Sequence, residues 1–130
     1  MKQYLLSVHY VEGQEPPDAE TMQRMFHQVD KLNNEMQAAD ALVFGGGLMT
    51  PDIATVVREE NGQIVATDGP FPEAMEQLGG FWVIKCADDA AAREWAEKAT
   101  RACLGPVESG RSRTMPTSER VRQRRAELAG

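Results

Sequence analysis

The sequence predicts an α+β domain with a ferredoxin-like βαββαβ order and a β-hairpin inserted between its two halves. Three observations lead to this fold class. Two segments with helical apolar spacing are each flanked by alternating or apolar segments that are typical of strands. An Asn-Gly pair, the strongest short hairpin signal, lies between the halves. The length of 130 residues fits one domain with a core of its own.

The first half of the chain supplies a strand, a helix and a second strand. Residues 3–10 alternate between two faces, which is typical of a strand. Asp18 is a candidate helix cap, and apolar side chains then recur at helical spacing from Met22 to Met36. Residues 41–44 predict a second strand that runs into three glycines. The two faces of the first strand carry Tyr4, Leu6, Val8 and Tyr10 on one side and Leu5, Ser7 and His9 on the other.

The second half adds the hairpin and repeats the strand–helix–strand order. Residues 53–59 and 63–67 flank Asn61-Gly62 and are the predicted hairpin strands. A turn at residues 68–71 and the pair Gly79-Gly80 precede a strand at residues 81–86. A helix follows a candidate cap at Asp88 and ends before Gly105-Pro106, after which Val107 begins a last strand.

The strand at residues 81–86 predicts a second layer of packing. Phe81 and Val83 place apolar groups on one face, and Trp82 and Ile84 place them on the other. Two helices cover only one face of a four-stranded sheet, so another surface must bury the second face. We therefore predict a homodimer in which two sheets pack face to face.

Charge divides the chain into an acidic body and a basic end. Residues 1–105 carry 8 basic and 17 acidic side chains, whereas residues 106–130 carry six basic and three acidic ones. An acidic body repels phosphate, which disfavours nucleic acid as a partner. We predict a domain at residues 1–112 and a basic C-terminal extension at residues 113–130, either a short helix or a disordered segment. We interpret this basic extension as a solvated segment, and a contact with nucleic acid is the weaker alternative.

Composition also bears on compartment and cofactors. The longest stretch without a charged residue, from Ala41 to Pro51, is too short for a membrane helix, and no signal-peptide pattern occurs. Cys86 and Cys103 form no disulfide framework, so they are interpreted as reduced thiols of a cytoplasmic protein. His9 and His27 lack partners at ligand spacing. We therefore expect neither a metal nor a cofactor.

One segment resembles the signature of a known family. The stretch from Asp68 to Phe81, Asp-Gly-Pro-Phe-Pro-Glu-Ala-Met-Glu-Gln-Leu-Gly-Gly-Phe, is similar to that of the DGPF proteins of the YCII-related family. Residues 4–9, the Gly46-Gly47-Leu48 segment and the strand at residues 81–84 also resemble the family. The resemblance covers about residues 2–107. The closing strand departs from it, because alternation is lost after Glu108, and we expect that strand to be short, frayed or displaced.

The resemblance implies a dimeric α+β barrel with a cavity between sheet and helices or between subunits. It implies little about a reaction. Relatives are suspected to be enzymes because a His and an Asp line a pocket. Related domains also occur beside extracytoplasmic-function sigma factors, which implies a regulatory alternative.

His9 and Asp68 are the predicted catalytic residues. An imidazole exchanges protons near neutral pH, and a carboxylate beside it fixes the tautomer and stabilises imidazolium. The alternative for His9 is a structural histidine that is hydrogen-bonded at a strand end. The alternative for Asp68 is a carboxylate that accepts hydrogen bonds within its own turn.

A second set of residues is predicted to bind a ligand. Missing side chains in the glycine-rich strand leave room for a molecule, although they also mark bulges. Arg58 is a candidate partner for an anion, or else a solvated strand residue. Aromatic side chains, Tyr10 among them, form a flat apolar pocket or simply core. The predicted ligand-binding set is Gly46, Gly47, Arg58, Gly69, Pro70, Phe71 and Trp82.

These residues support two hypotheses about function. The first is a cofactor-independent enzyme that uses His9 and Asp68 for acid–base chemistry on a small organic ligand. The second is a non-catalytic dimer that binds a small molecule or acts as a regulator of the sigma-factor-associated type. The first hypothesis requires a closed pocket that holds both residues, whereas the second expects a pocket without converging polar groups, or no pocket.

Overall fold

The structure is a computed structural model that describes residues 1–11, 15, 17–71, 76–113 and 125–129. The predicted order of elements is confirmed, and the fold is α+β. The elements are β1 (Lys2–Val11), α1 (Ala19–Ala38), β2 (Leu42–Gly47), a 3-10 turn (Pro51–Ile53), β3 (Thr55–Glu60), β4 (Gln63–Asp68), β5 (Glu76–Cys86), α2 (Asp89–Cys103) and β6 (Val107–Arg111).

The strands form two separate sheets. Four of them make an antiparallel sheet in the order β2-β5-β1-β6, in which the strands on either side of each helix are separated by one neighbour. This order is that of a ferredoxin-like fold. Strands β3 and β4 pair only with each other, as the inserted hairpin. Asn61 and Gly62 both have positive φ values, 52° and 80°, which the tight hairpin turn requires.

The core lies between the helices and one face of the four-stranded sheet. Burial alternates along β1 and β5, as the sequence pattern predicts. On the helix side, α1 contributes two large apolar side chains, and α2 contributes alanines that allow close packing. The buried core comprises Tyr4, Leu6, Val8, Leu32, Met36, Trp82, Ile84, Cys86, Ala92, Ala99 and Ala102.

Local signals set the ends of both helices. The Asp18 carboxylate accepts a hydrogen bond from the Thr21 backbone N–H, and Asp88 accepts one from Ala91, so both predicted caps are confirmed. The apolar stripe of α1 is less uniform than its spacing predicts. Its C-terminal half is buried, whereas Phe26 in its N-terminal half is 67% exposed. The helix therefore rests on the sheet through only part of its length.

A side-chain hydrogen bond ties the start of α2 to β1. The buried Tyr4 hydroxyl donates to the Asp89 carboxylate in the first turn of the helix. This hydrogen bond and burial of the ring raise the pKa of Tyr4 to about 12. The phenol therefore stays protonated as a donor through the neutral range.

Two strands are longer than their sequence pattern predicts. β5 begins at Glu76 and runs through Gly79-Gly80, because a bulge opposite Val8 and His9 takes up one extra residue. β6 continues in register with β1 as far as Arg111, despite the loss of alternation after Glu108. Backbone pairing with a central strand does not depend on side-chain alternation. The closing strand is short, but it is neither frayed nor displaced.

The second face of the sheet remains uncovered by any described element. We call it the open face. It is apolar in the middle, and the Phe44 and Phe81 rings lie 5.6 Å apart upon it. Leu5 is 42% and Phe44 63% exposed there. The open face consists of Leu5, Ser7, His9, Phe44, Phe81, Val83, Lys85 and Glu108.

The predicted boundary at residue 112 and most of the basic extension stay predictions. Residues 114–124 and 130 lie outside the described residues. The described segment 125–129 is helical and exposed.

Substitutions in the glycine-rich strand test how tightly β2 packs on β5. A Cβ at Gly45 would lie 2.9 Å from Trp82 Cδ1 and 3.0 Å from the Phe81 carbonyl oxygen, whereas a Cβ at Gly47 would meet no atom within 4 Å. We expect Gly45→Ala to lower the free energy of unfolding by about 1–3 kcal/mol. Gly47→Ala is the matched control, and we expect it to be neutral or to stabilise by about 0.4–1 kcal/mol. Urea unfolding followed by tryptophan fluorescence measures both, and equal effects would contradict this packing.

Candidate functional site

A cavity of about 400 Å³ lies between α1 and the sheet. We call it the helix-side cavity. Its floor consists of β2, β5 and the end of β1, and its roof is the face of α1 that carries residues 25 to 37. The described lining residues are Val8, Tyr10, Met25, Phe26, Val29, Asn33, Gln37, Leu42, Gly45, Gly46, Gly47, Gly79, Gly80, Phe81, Trp82 and Cys103.

Glycines line this space for two reasons. At Gly45 and Gly79, a neighbouring ring occupies the position that a side chain would need, and at Gly47 the position is empty. A Cβ at Gly45 would press on the Trp82 indole, and one at Gly79 would overlap the Tyr10 ring. Gly47 faces open space, so its missing side chain widens the cavity. Gly46, Gly47 and Trp82, three of the predicted ligand-binding residues, are therefore brought together here.

Polar groups in the helix-side cavity are few. The Trp82 indole Nε1–H donates to Asn33 Oδ1 at 2.7 Å, which links β5 to α1. Tyr10 and Gln37 supply the other polar side chains among the described lining residues. Burial raises the pKa of the Cys103 thiol to about 11, so this lining group is neutral. None of the described lining residues carries a charge at pH 7.

His9 lies on the other side of β1, on the open face. Its side chain is 19% exposed, and both ring nitrogens are buried without a hydrogen-bond partner in the described part of the chain. Glu108 on β6 brings a carboxylate oxygen 3.5 Å from Nε2. That separation is too long for a good hydrogen bond.

Asp68 occupies a different part of the molecule. It is exposed at the end of β4, where it pairs with Thr55 in the two-stranded sheet. The structure shows no hydrogen bond or ion pair between His9 and Asp68, both of which are described. The carboxylate that contacts His9 is that of Glu108. The predicted His9–Asp68 pair stays a prediction.

The remaining predicted ligand-binding residues lie near the base of the hairpin. Pro70 and Phe71 line a groove of about 420 Å³ together with the 3-10 turn and the start of β5. The Arg58 guanidinium lies 5.3 Å from the centre of the Phe71 ring, a cation–π contact. Gly69 has a φ of 90°, which its turn requires, and its N–H donates to the Ala54 carbonyl at 2.7 Å. The predicted set is thus divided between two places.

Sequence reasoning missed two polar lining residues and the thiol. Asn33 and Gln37 are separated by one helical turn, but no motif distinguishes them from solvated helix residues. Cys103 belongs to the α2 spacing and was interpreted only as a buried thiol. A usable signal was the exposed apolar stripe from Met25 to Val29, because such a stripe needs either a partner or a ligand.

The part of the chain that matches a known family coincides with the part from the start of β1 to the end of β6. A family-wide sequence model of the YCII-related domain matches residues 2–111. The chain belongs to the YCII-related family. No curated protein matches the chain. The match to the YCII-related domain thus includes β6.

The described part of this YCII-related chain was also compared with the requirements of a metal site and of a membrane-spanning helix. No three His, Cys, Asp or Glu side chains of the described ranges converge in a way that would hold a metal ion. Neither α1 nor α2, nor any other helix described here, combines the length and hydrophobicity that crossing a bilayer needs.

Alkylation of Cys103 tests whether this lining thiol is buried and neutral. In a Cys86→Ser background, we expect iodoacetamide to label Cys103 slowly at pH 8, because only the thiolate reacts. The rate should rise about tenfold per pH unit up to about pH 11, where the thiol ionises. Mass spectrometry of timed samples gives the rate, and a plateau below pH 9.5 would contradict the burial of this group.

Proposed function

We propose that this YCII-related protein is a homodimer that binds a small, largely apolar organic molecule in the helix-side cavity, without a covalent step. One observation supports this proposal above others. The cavity combines glycine strands, exposed apolar side chains of α1 and a buried indole, but its described lining includes neither His9 nor Asp68. A pocket without converging acid and base groups is what the binding hypothesis expects.

The size and chemistry of the cavity fit such a ligand. A volume of about 400 Å³ falls within the range of small-molecule sites. Phe26 is 67% exposed on the roof, an arrangement that leaves apolar area available to a bound molecule. Removing this surface from water is the main favourable term for binding.

The open face supports the proposed dimer. It presents Leu5, Phe44, Phe81 and Val83 as one apolar patch at the centre of the sheet. A patch of this kind on a sheet normally packs against a second layer, and an identical face is a self-complementary partner. Cys86 and Cys103 are free thiols, which fits a dimer in the reducing cytoplasm.

A specific observation also favours the catalytic alternative. The two buried nitrogens of His9 have no hydrogen-bond partner among the described residues, and the Glu108 carboxylate lies 3.5 Å from Nε2. Such an imidazole is available for proton transfer. In this alternative, acid–base chemistry takes place on the open face, and Glu108 is positioned to stabilise the imidazolium in the way predicted for Asp68.

Toluene titration tests the helix-side cavity. We expect the Trp82 indole N–H resonance to shift in two-dimensional NMR spectra, and the Trp95 resonance to stay in place, because only Trp82 lines the cavity. Gly47→Leu should weaken toluene binding at least about tenfold, because leucine fills space that is empty beside Gly47.

His9→Gln is the matched control for this titration, since it changes the opposite side of β1. We expect it to leave toluene affinity within about twofold. Loss of affinity in His9→Gln with retention in Gly47→Leu would instead favour a site on the open face. Circular dichroism confirms that each variant is folded.

Light scattering after size exclusion tests the dimer. We expect the native chain to elute as a dimer, and Phe44→Glu to elute as a monomer, because a carboxylate on the covered face would lose its hydration. Leu104→Asn is the control, since it also removes an exposed apolar side chain, and asparagine tolerates its φ of 55°. A monomeric native chain at micromolar concentration would refute the proposed dimer.

A further inference from the structure

The Asn33 side chain has a fixed orientation in the helix-side cavity. Its Oδ1 accepts the hydrogen bond from Trp82 Nε1 at 2.7 Å. An indole N–H is a donor only, so it must meet the oxygen of the amide and not its nitrogen. The contact with Trp82 therefore turns the Nδ2 amino group of Asn33 away from the indole.

This amino group is a donor that the described residues do not use. Asn33 is half-buried, and its Nδ2 forms no hydrogen bond to another described residue. An acceptor that arrives with a ligand would replace water as the partner of this donor, and the net gain from one such neutral hydrogen bond is modest. The other polar side chains, Tyr10 and Gln37, can also turn a donor toward the cavity.

The cavity also excludes charge. Its described lining contains no Asp, Glu, Lys, Arg or His, and the Cys103 thiol is protonated at neutral pH. An ionic ligand would leave water without gaining a counter-charge, which costs far more than moving a neutral molecule. The acidic side chains of the described residues are not part of this lining.

We propose that the helix-side cavity selects neutral, largely apolar molecules that carry a carbonyl-type acceptor, and that this acceptor receives the hydrogen bond from Asn33 Nδ2. The inference rests on the proposed binding function, and adds the chemical class of the ligand. Trp82 is a positioning residue in this arrangement, because it holds the amide in the donating orientation.

Three probes of similar size separate the effects of apolar contact, a carbonyl acceptor and a negative charge on binding. Ethylbenzene has no acceptor, acetophenone has a carbonyl, and benzoate has a charge. We expect acetophenone to bind about 3- to 10-fold more tightly than ethylbenzene, the range for one neutral hydrogen bond. Benzoate should bind more weakly than either. NMR follows both indole resonances: that of Trp82 reports binding, and that of Trp95, outside the described lining, is the internal control.

Asn33→Asp separates the donor from the contact with Trp82. The carboxylate still offers an oxygen to the indole, but it no longer supplies an N–H at neutral pH. We expect the preference for acetophenone over ethylbenzene to disappear in this variant. Asn34→Asp makes the same chemical change at the next residue of α1, which is exposed and is not among the described lining residues, so it should keep the preference.

The outcomes distinguish the ligand class from the binding function. Equal affinity of the native chain for acetophenone and ethylbenzene, or tightest binding of benzoate, would overturn the selection by Asn33 but leave the cavity as a binding site. A preference that survives in Asn33→Asp would overturn it as well. Failure of all three probes to bind would overturn both proposals.

Discussion

The Trp82 indole is the contact on which the fold and the candidate site both depend. It is buried on the helix side of β5, and its N–H reaches across to Asn33 of α1. The indole ring also occupies the space that a side chain at Gly45 would need. Close pairing of β2 with β5 therefore requires glycine at this position. Because a buried indole N–H without a partner costs free energy, the link to Asn33 is part of the core. The spacing between sheet and helix, and the polarity inside the cavity, thus follow from one side chain.

The two helices share the work of covering the sheet unequally. α2 presents Ala92, Ala99 and Ala102 to the core, small side chains that let a helix lie close to a sheet. α1 contributes Leu32 and Met36, both in its C-terminal half. Its face from Met25 to Gln37 lies over glycine-rich segments of β2 and β5, which offer few side chains to pack against. A cavity results there because neither surface supplies the atoms that would fill it.

Features set by neighbours in the sequence were predictable, and features set by distant pairing were not. Alternation located β1, and the caps at Asp18 and Asp88 located both helices, because these signals act within one turn or strand. Gly79 suggested a break before β5, but a bulge against β1 continues the strand through it. Asn33 acquires a role only through Trp82, which lies 49 residues away in the chain. No pattern local to α1 contains that information.

The alternation of β1 also places the two hypotheses about function at two different sites. Val8 and Tyr10 line the helix-side cavity, whereas His9 between them points to the open face. A molecule in the cavity is separated from the imidazole by the strand itself, so one ligand cannot use both. Covering the open face would remove water from the exposed Glu108 carboxylate, beside the already buried His9 nitrogens, and would strengthen any charge interaction between them, because charges attract more strongly at low dielectric. The same event would leave the uncharged cavity chemically unchanged. A dimer through the open face would therefore bear on the hypothesis of proton transfer at His9 and not on the proposed recognition by Asn33, so experiments can support either hypothesis without the other.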